Sequence, residues 1–133
     1  MFNTAELFNS IRPRYPELAG QVAIVTGGGK GIGKGIAIRL GREGMKVVVN
    51  ARTAEMVEQV AKELGELGIE SLAVPGDIGK REDMDRLFDD TLRAFGTVDL
   101  VVNNAANLRR VFFFDVSEEM MRGFWRKAVW SRQ

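Results

Sequence analysis

An α/β fold on an open parallel sheet follows from three features of the sequence. Short runs rich in Val and Ile alternate with longer stretches of helical periodicity, and Gly residues close those stretches. The first apolar run is followed by a cluster in which six of nine residues, Gly27 to Gly35, are Gly. Alternation of this kind is the signature of parallel strands joined by crossover helices.

The apolar runs are Val22 to Thr26, Lys46 to Asn50, Ser71 to Val74 and Val98 to Asn103. Each is too short for a helix and rich in β-branched residues, so each is read as a strand. Between them, Ile32, Ile36 and Leu40 fall on one helical face. Met56, Val57, Val60, Leu64 and Leu67 form a second such face, and Met84, Leu87, Phe88, Leu92 and Phe95 a third. These stripes are read as core, with no ligand assigned to them. Gly44, Gly68 and Gly96 stand where left-handed caps end helices. A fourth helix is expected from Ser117, with Glu118 and Glu119 in its first turn and Met120, Met121, Phe124, Trp125 and Ala128 on its apolar side. Residues 1–20 carry Pro13 and Pro16 without sustained periodicity and are read as a short helix or extended arm. The division is therefore an N-terminal arm, 1–20, and one α/β domain, 21–133.

Composition removes several chemistries. The 133 residues contain no His and no Cys, so disulfides, thiolate nucleophiles, Cys-based zinc sites and Ser-His-Asp or Cys-His catalysis are excluded, and no metal site is assigned. Lys plus Arg number 19 against 18 Asp plus Glu, a formal charge of +1 that gives no general attraction to nucleic acid. No apolar run approaches the ~20 residues of a membrane-spanning helix, and Asn3, Glu6 and Asn9 do not form a secretion signal. The expected partners exclude nucleic acid and membrane, and the expected location is the cytoplasm.

A glycine-rich turn between a strand and a helix lets backbone N–H groups approach an anion and points the helix N-terminus at it. Two phosphate-binding arrangements compete for these residues. Gly28, Gly33 and Lys34 have the spacing of a P-loop, whereas Thr26, Gly27, Gly31 and Gly33 have that of a dinucleotide fold. A P-loop needs a Ser or Thr hydroxyl after the lysine to hold magnesium, and here that residue is Gly35. A P-loop nucleotidase is thus a remote alternative.

Thr26-Gly27-Gly28-Gly29-Lys30-Gly31-Ile32-Gly33 resembles the cofactor motif of the short-chain dehydrogenases/reductases. Asn103-Asn104-Ala105-Ala106 is similar to the family's Asn-Asn-Ala-Gly element, with Ala106 in place of its Gly. Gly76-Asp77-Ile78 matches the segment in which an acidic residue lies by the adenine. The resemblance covers residues 21 to about 121 and implies a Rossmann-like, doubly wound parallel sheet. It is an incomplete one, about four strands in the order 3-2-1-4. It also implies cofactor contacts along the glycine turn, at Thr26, Gly27, Gly29, Lys30, Gly31, Ile32 and Gly33. Further contacts are implied at Asn50 and Arg52, at Asp77 and Ile78, and at Asn104, Ala105 and Ala106.

A site for NAD places an acid at the end of the second strand for the ribose hydroxyls, and a 2′-phosphate needs cations there. Here Ala51 stands about where the acid would be, Arg52 follows it, and Lys30 lies in the glycine turn. Both basic positions resemble those of NADP-preferring members, which puts NADP ahead of NAD.

The family's proton transfer depends on a Tyr, a Lys four residues later, a Ser and a helical Asn. None of this set is identifiable. The single tyrosine, Tyr15, precedes the first strand, residue 19 is Ala, and the Asn column falls near Lys127 or Ala128. No catalytic residue is assigned. The expectation is the NADP(H)-binding portion of a short-chain oxidoreductase, inactive as this chain alone. An apolar fourth strand at the sheet edge points to a truncated chain, or to one completed across that edge by a second copy or another polypeptide. The alternative is a non-catalytic nucleotide-binding or dimerising module, with Arg109, Arg110 and Phe112 to Phe114 as its surface.

Overall fold

The computed structural model describes residues 3–105 and Glu119. Ala106, Arg109, Arg110, Phe112 to Phe114, the apolar side expected for a helix from Ser117, and the tail 122–133 lie outside the described residues. Four parallel strands, β1 (Val22–Thr26), β2 (Lys46–Ala51), β3 (Ser71–Pro75) and β4 (Leu100–Val102), form one sheet in the order β3-β2-β1-β4. This is the order that the sequence predicts. Thr26 stands beside Asn50, Ala51 beside Pro75 and Val25 beside Val102, which sets the carboxyl ends of all four strands side by side.

Helices cover both faces. On one, α2 (Gly31–Arg42) and α3 (Ala54–Glu66) pack Ala37, Ile38, Val57, Val60 and Leu64 against Ala23, Val25, Val47 and Val49. On the other, Met84 and Leu87 of α4 (Arg81–Phe95) pack with Val22, Ile24, Val48 and Val74. β1 is buried along its whole length, hence its unbroken apolar run instead of an alternation. Gly44, Gly68 and Gly96 follow their helices with φ of +92°, +84° and +80°, the left-handed conformation the caps require.

Two helical faces differ from expectation. In α2 the buried residues are Gly33, Ala37, Ile38 and Gly41, with Ile36 and Leu40 flanking, and Ile32 is 78% exposed. At Gly41 the helix lies too close to its neighbours for a side chain, since a Cβ there would run into Ile69. In α4 the buried line is Met84, Leu87 and Thr91, with Phe88 and Phe95 alongside. Leu92, about 100° further round the helix than Thr91, is 47% exposed. Thr91 is accommodated because its hydroxyl donates to the Leu87 carbonyl at 2.7 Å. β4 is shorter than the predicted Val98 to Asn103. At its start the Val22 N–H is taken by the Asp99 carboxylate at 2.8 Å, a side-chain bond in place of a ladder bond.

Residues 3–20 lie against the domain. α1 (Thr4–Ser10) opens with a capping box in which Asn3 Oδ1 accepts from the Glu6 N–H and Glu6 Oε2 accepts from the Asn3 N–H. Leu7, Phe8, Ile11 and Leu18 pack onto the core beside α2. Glu43, 5% exposed, accepts the backbone N–H groups of Arg14 and Tyr15 at 2.8 and 2.9 Å and pairs with Arg39 at 2.7 Å. Burial acts to raise its pKa. The Tyr15 and Arg14 amides and the Arg39 guanidinium outweigh that effect and leave the carboxyl below its ordinary value. No helix among the described residues is long and apolar enough to cross a membrane.

Candidate cofactor site

A cleft of about 440 Å³ runs across the carboxyl ends of the strands, where the turns after β1, β2, β3 and β4 converge. Ligands collect at this position in open parallel sheets, because the strand order reverses there and leaves a crevice between crossovers.

The first wall is the glycine turn. Gly27, Gly29, Lys30, Gly31 and Ile32 line it, and Gly28 lies buried behind, its N–H donating to the Asn50 carbonyl at 2.9 Å. Gly33 underpins the turn. A Cβ at that position would collide with the Gly27 carbonyl and stand 2.6 Å from the Asn104 amide nitrogen, so only a glycine lets α2 start this close to β1. No side chain caps the α2 N-terminus, and its first turn carries no acidic residue. The positive end of the helix is thus directed at the turn without a competing carboxylate.

The loop after β4 closes this end of the cleft with Asn104 and Ala105. Thr26, only 2% exposed, holds that loop in place. Its hydroxyl donates to the Val102 carbonyl at 3.2 Å and accepts from the Asn104 and Ala105 N–H groups at 3.1 Å each. Asn104 Nδ2 donates to the Gly27 carbonyl at 3.2 Å. The two motifs farthest apart in sequence are therefore one hydrogen-bonded unit.

The opposite wall comes from the ends of β2 and β3. Asn50, Arg52, Asp77 and Ile78 line it as expected from their positions. Asn50 is buried, and its amide donates to the Val74 and Gly76 carbonyls at 2.9 and 3.3 Å, which fastens the end of β2 to the loop after β3. Arg52 and Lys30 are exposed, and neither side chain forms an ion pair or hydrogen bond among the described residues. No acidic side chain stands at the end of β2, whose last residue is Ala51.

Of the residues singled out from the sequence, eleven line the cleft, Thr26 and Gly33 lie beneath its walls, and Ala106 is outside the described residues. Sequence reasoning missed Ala51, Thr53, Met56 and Gly76. Thr53 had a legible signal, a Thr directly before a helical run. It is the N-cap of α3 but makes no side-chain cap bond, and it faces the cleft instead. Met56, counted with the core stripe of α3, is in its first turn and only partly buried, and its side chain is 3.4 Å from where a Gly29 Cβ would be.

Lys34, the lysine of the alternative P-loop spacing, does not line the cleft. It pairs with Glu63 of α3 at 2.7 Å. This bond is the largest influence on the Glu63 carboxyl and, with Thr4 and Gln59, lowers its pKa against the effect of burial. Tyr15 is likewise away from the cleft, with the Arg39 guanidinium 5.9 Å over its ring. Among the described residues no acidic cluster suited to a metal ion occurs.

Comparison with known proteins agrees with this geometry. The short chain dehydrogenase family model matches residues 21–125. A hydroxynaphthalene reductase-like protein of Metarhizium brunneum is 46% identical over 89 residues, 66% of this chain and 33% of that protein. A short-chain dehydrogenase/reductase of Pestalotiopsis microspora is 40% identical over 103 residues, covering 77% of this chain and 39% of the relative. The chain thus spans between a third and two fifths of these curated relatives. Among solved structures, L-sorbose reductase from Gluconobacter frateurii, complexed with NADPH and L-sorbose, superposes with a TM-score of 0.79 at 30% identity. That match covers 86% of this chain and 44% of the reductase. The family match takes in every strand and every turn that builds the cleft, and the chain belongs to the short-chain dehydrogenase family.

Proposed function

We propose that the cleft is the NADP(H) site of a short-chain oxidoreductase that interconverts carbonyl and alcohol groups, and that these 133 residues supply cofactor binding without turnover. The observation that carries the preference for NADP is the pair Lys30 and Arg52, without a side-chain partner among the described residues, on a rim where β2 ends in Ala51 and not in a carboxylate. A dianionic 2′-phosphate fits two cations, whereas ribose hydroxyls call for a carboxylate at the end of β2, where Ala51 and Arg52 stand. Thr53 adds a hydroxyl at the same place. The glycine turn and the uncapped α2 N-terminus fit a pyrophosphate, and Asp77 with Ile78 takes the adenine side.

When bound, the nicotinamide ring supplies or accepts the hydride. The chain's own residues bind and orient, because fixed backbone dipoles hold the anionic centre of the dinucleotide and the strand-end loops set its direction. In the family that the chain belongs to, proton transfer depends on a tyrosine and a lysine acting together. Tyr15 has no lysine four residues on and lies outside the cleft. In this reading the edge of β4 is where further sheet, from additional sequence or from a second chain, would join.

Calorimetric titration with NADPH tests the proposal, paired with a search for NADPH oxidation in the presence of carbonyl compounds. Saturable binding without oxidation is expected. A folded chain that takes up no NADPH overturns the cofactor assignment, and steady oxidation overturns the absence of turnover.

A further inference from the structure

We infer that Asp83 and Arg86, neither of which lines the cleft, are positioning residues that hold the loop after β3 in its cleft-lining shape. They would thereby set the affinity of the adenosine end. The inference rests on the NADP(H) reading and extends it to residues that have no place in the glycine motif.

The loop Gly76-Asp77-Ile78 is gripped from two sides. From β2, the Asn50 amide donates to the Val74 and Gly76 carbonyls. From α4, Asp83 Oδ2 accepts the Asp77 N–H at 2.8 Å, Asp83 Oδ1 pairs with Arg86 Nη1 at 3.2 Å, and Arg86 Nη2 donates to the Pro75 carbonyl at 2.7 Å. A carboxylate in the first turn of a helix ordinarily serves that helix's own free N–H groups. Asp83 reaches back six residues instead and fixes an amide of the loop. Arg86 closes a ring through Pro75, Asp77 and Asp83.

The contact is close. A Cβ on Gly76 would stand 2.8 Å from Arg86 Nη2 and 3.1 Å from Asp83 Cβ, so the absence of a side chain there is what lets the two residues reach the backbone. Two further bonds shape the same loop. Asp77 Oδ1 accepts the Gly79 N–H, and the Asp77 carbonyl accepts the Lys80 N–H, both at 2.9 Å. Ile78 then lines the cleft while it packs with Met84 and Leu87 of α4. Arg86 is half exposed, and an ion pair in that setting adds little stability by itself. Its geometry, two donors aimed at a strand end and a loop-bound carboxylate, fits a positioning role better than an energetic one.

The test uses two ligands, NADPH and 2′,5′-ADP, which carries the adenosine end alone. Asp83→Ala and Arg86→Ala are expected to raise the Kd of both ligands by the same factor, about tenfold. Asp83→Asn, which keeps an acceptor for the Asp77 N–H, is expected to restore most of the affinity. Amide hydrogen exchange without ligand should quicken at residues 76–79 and stay native in the glycine turn. A general loosening would quicken both regions and would not be rescued by Asn.

Folded alanine variants that bind 2′,5′-ADP as the native chain does overturn the inference, as does a loss seen with NADPH only. Should Asp83→Ala fail to fold, Arg86→Lys decides. It keeps a cation for Asp83 but loses the second donor to Pro75, so a partial loss supports the inference and native affinity refutes it. A native chain that binds neither ligand defeats the cofactor reading together with this extension. Native binding with unchanged variants defeats the extension alone.

Discussion

The glycine turn and the two cations of the rim, Lys30 carried by that turn and Arg52 after β2, serve one cleft and are built from different material. The turn from Gly27 to Gly33 presents main chain fixed by main-chain bonds and by the Asn104 side chain, and a Cβ at Gly33 has no room. Lys30 and Arg52 are long, exposed side chains with no partner among the described residues. A preorganised backbone loses little freedom on binding, so the turn is suited to the part that all nicotinamide dinucleotides share. Flexible cations can be exchanged without disturbing the fold, so they are suited to telling one dinucleotide from another.

The first way to break this division is Gly33→Ala. Overpacking of that kind costs about 1–3 kcal/mol if the turn stays in place. The turn shifts instead, and affinity for NADPH and NADH falls together by about tenfold to a hundredfold, read by calorimetry. A loss confined to NADPH would show that the turn also discriminates.

A smaller effect, and one outside the cleft, is expected from Glu43→Gln. Glu43 anchors the N-terminal arm through the Arg14 and Tyr15 amides, and its carboxyl lies below the ordinary value in the folded chain. The stabilisation it contributes is complete above the unfolded pKa and is lost as pH falls through the folded one. Thermal unfolding across the acidic range should show the native chain losing Tm in that window. The Gln variant should start a few degrees lower and change less there, and nucleotide affinity at neutral pH should stay native.

The sheet and the glycine turn were legible in the sequence because their signals are local. A run such as Val22 to Thr26 is short and β-branched, as a buried strand is, and Gly27 to Gly29 directly after it form the turn, while Gly31, Gly33 and Gly35 already belong to α2. Helix faces were less legible where small residues decide the packing. Ile32 and Leu92 fit an apolar period, yet Gly33, Ala37 and Gly41 in α2 and Thr91 in α4 occupy the buried positions. Met56 satisfies the same period from the first turn of α3, where the stripe meets the cleft, and periodicity cannot separate core from site at a helix end. Glu43 with Arg39 and Asp83 with Arg86 stand at helical spacing, but their bonds to the arm and to the loop after β3 were not legible. Those bonds depend on turns that bring together residues with no pattern between them, in the case of Glu43 and Tyr15 across 28 positions.

The most direct measurement is a four-way comparison of Kd, with NADPH and NADH titrated into the native chain and into Arg52→Asp at one ionic strength. The account predicts that the native chain holds NADPH at least about tenfold more tightly. Charge reversal should weaken NADPH by about tenfold to a hundredfold, the worth of a charge-assisted phosphate contact, and leave NADH unchanged or tighter. A folded Arg52→Asp chain with the native preference for NADPH would contradict it.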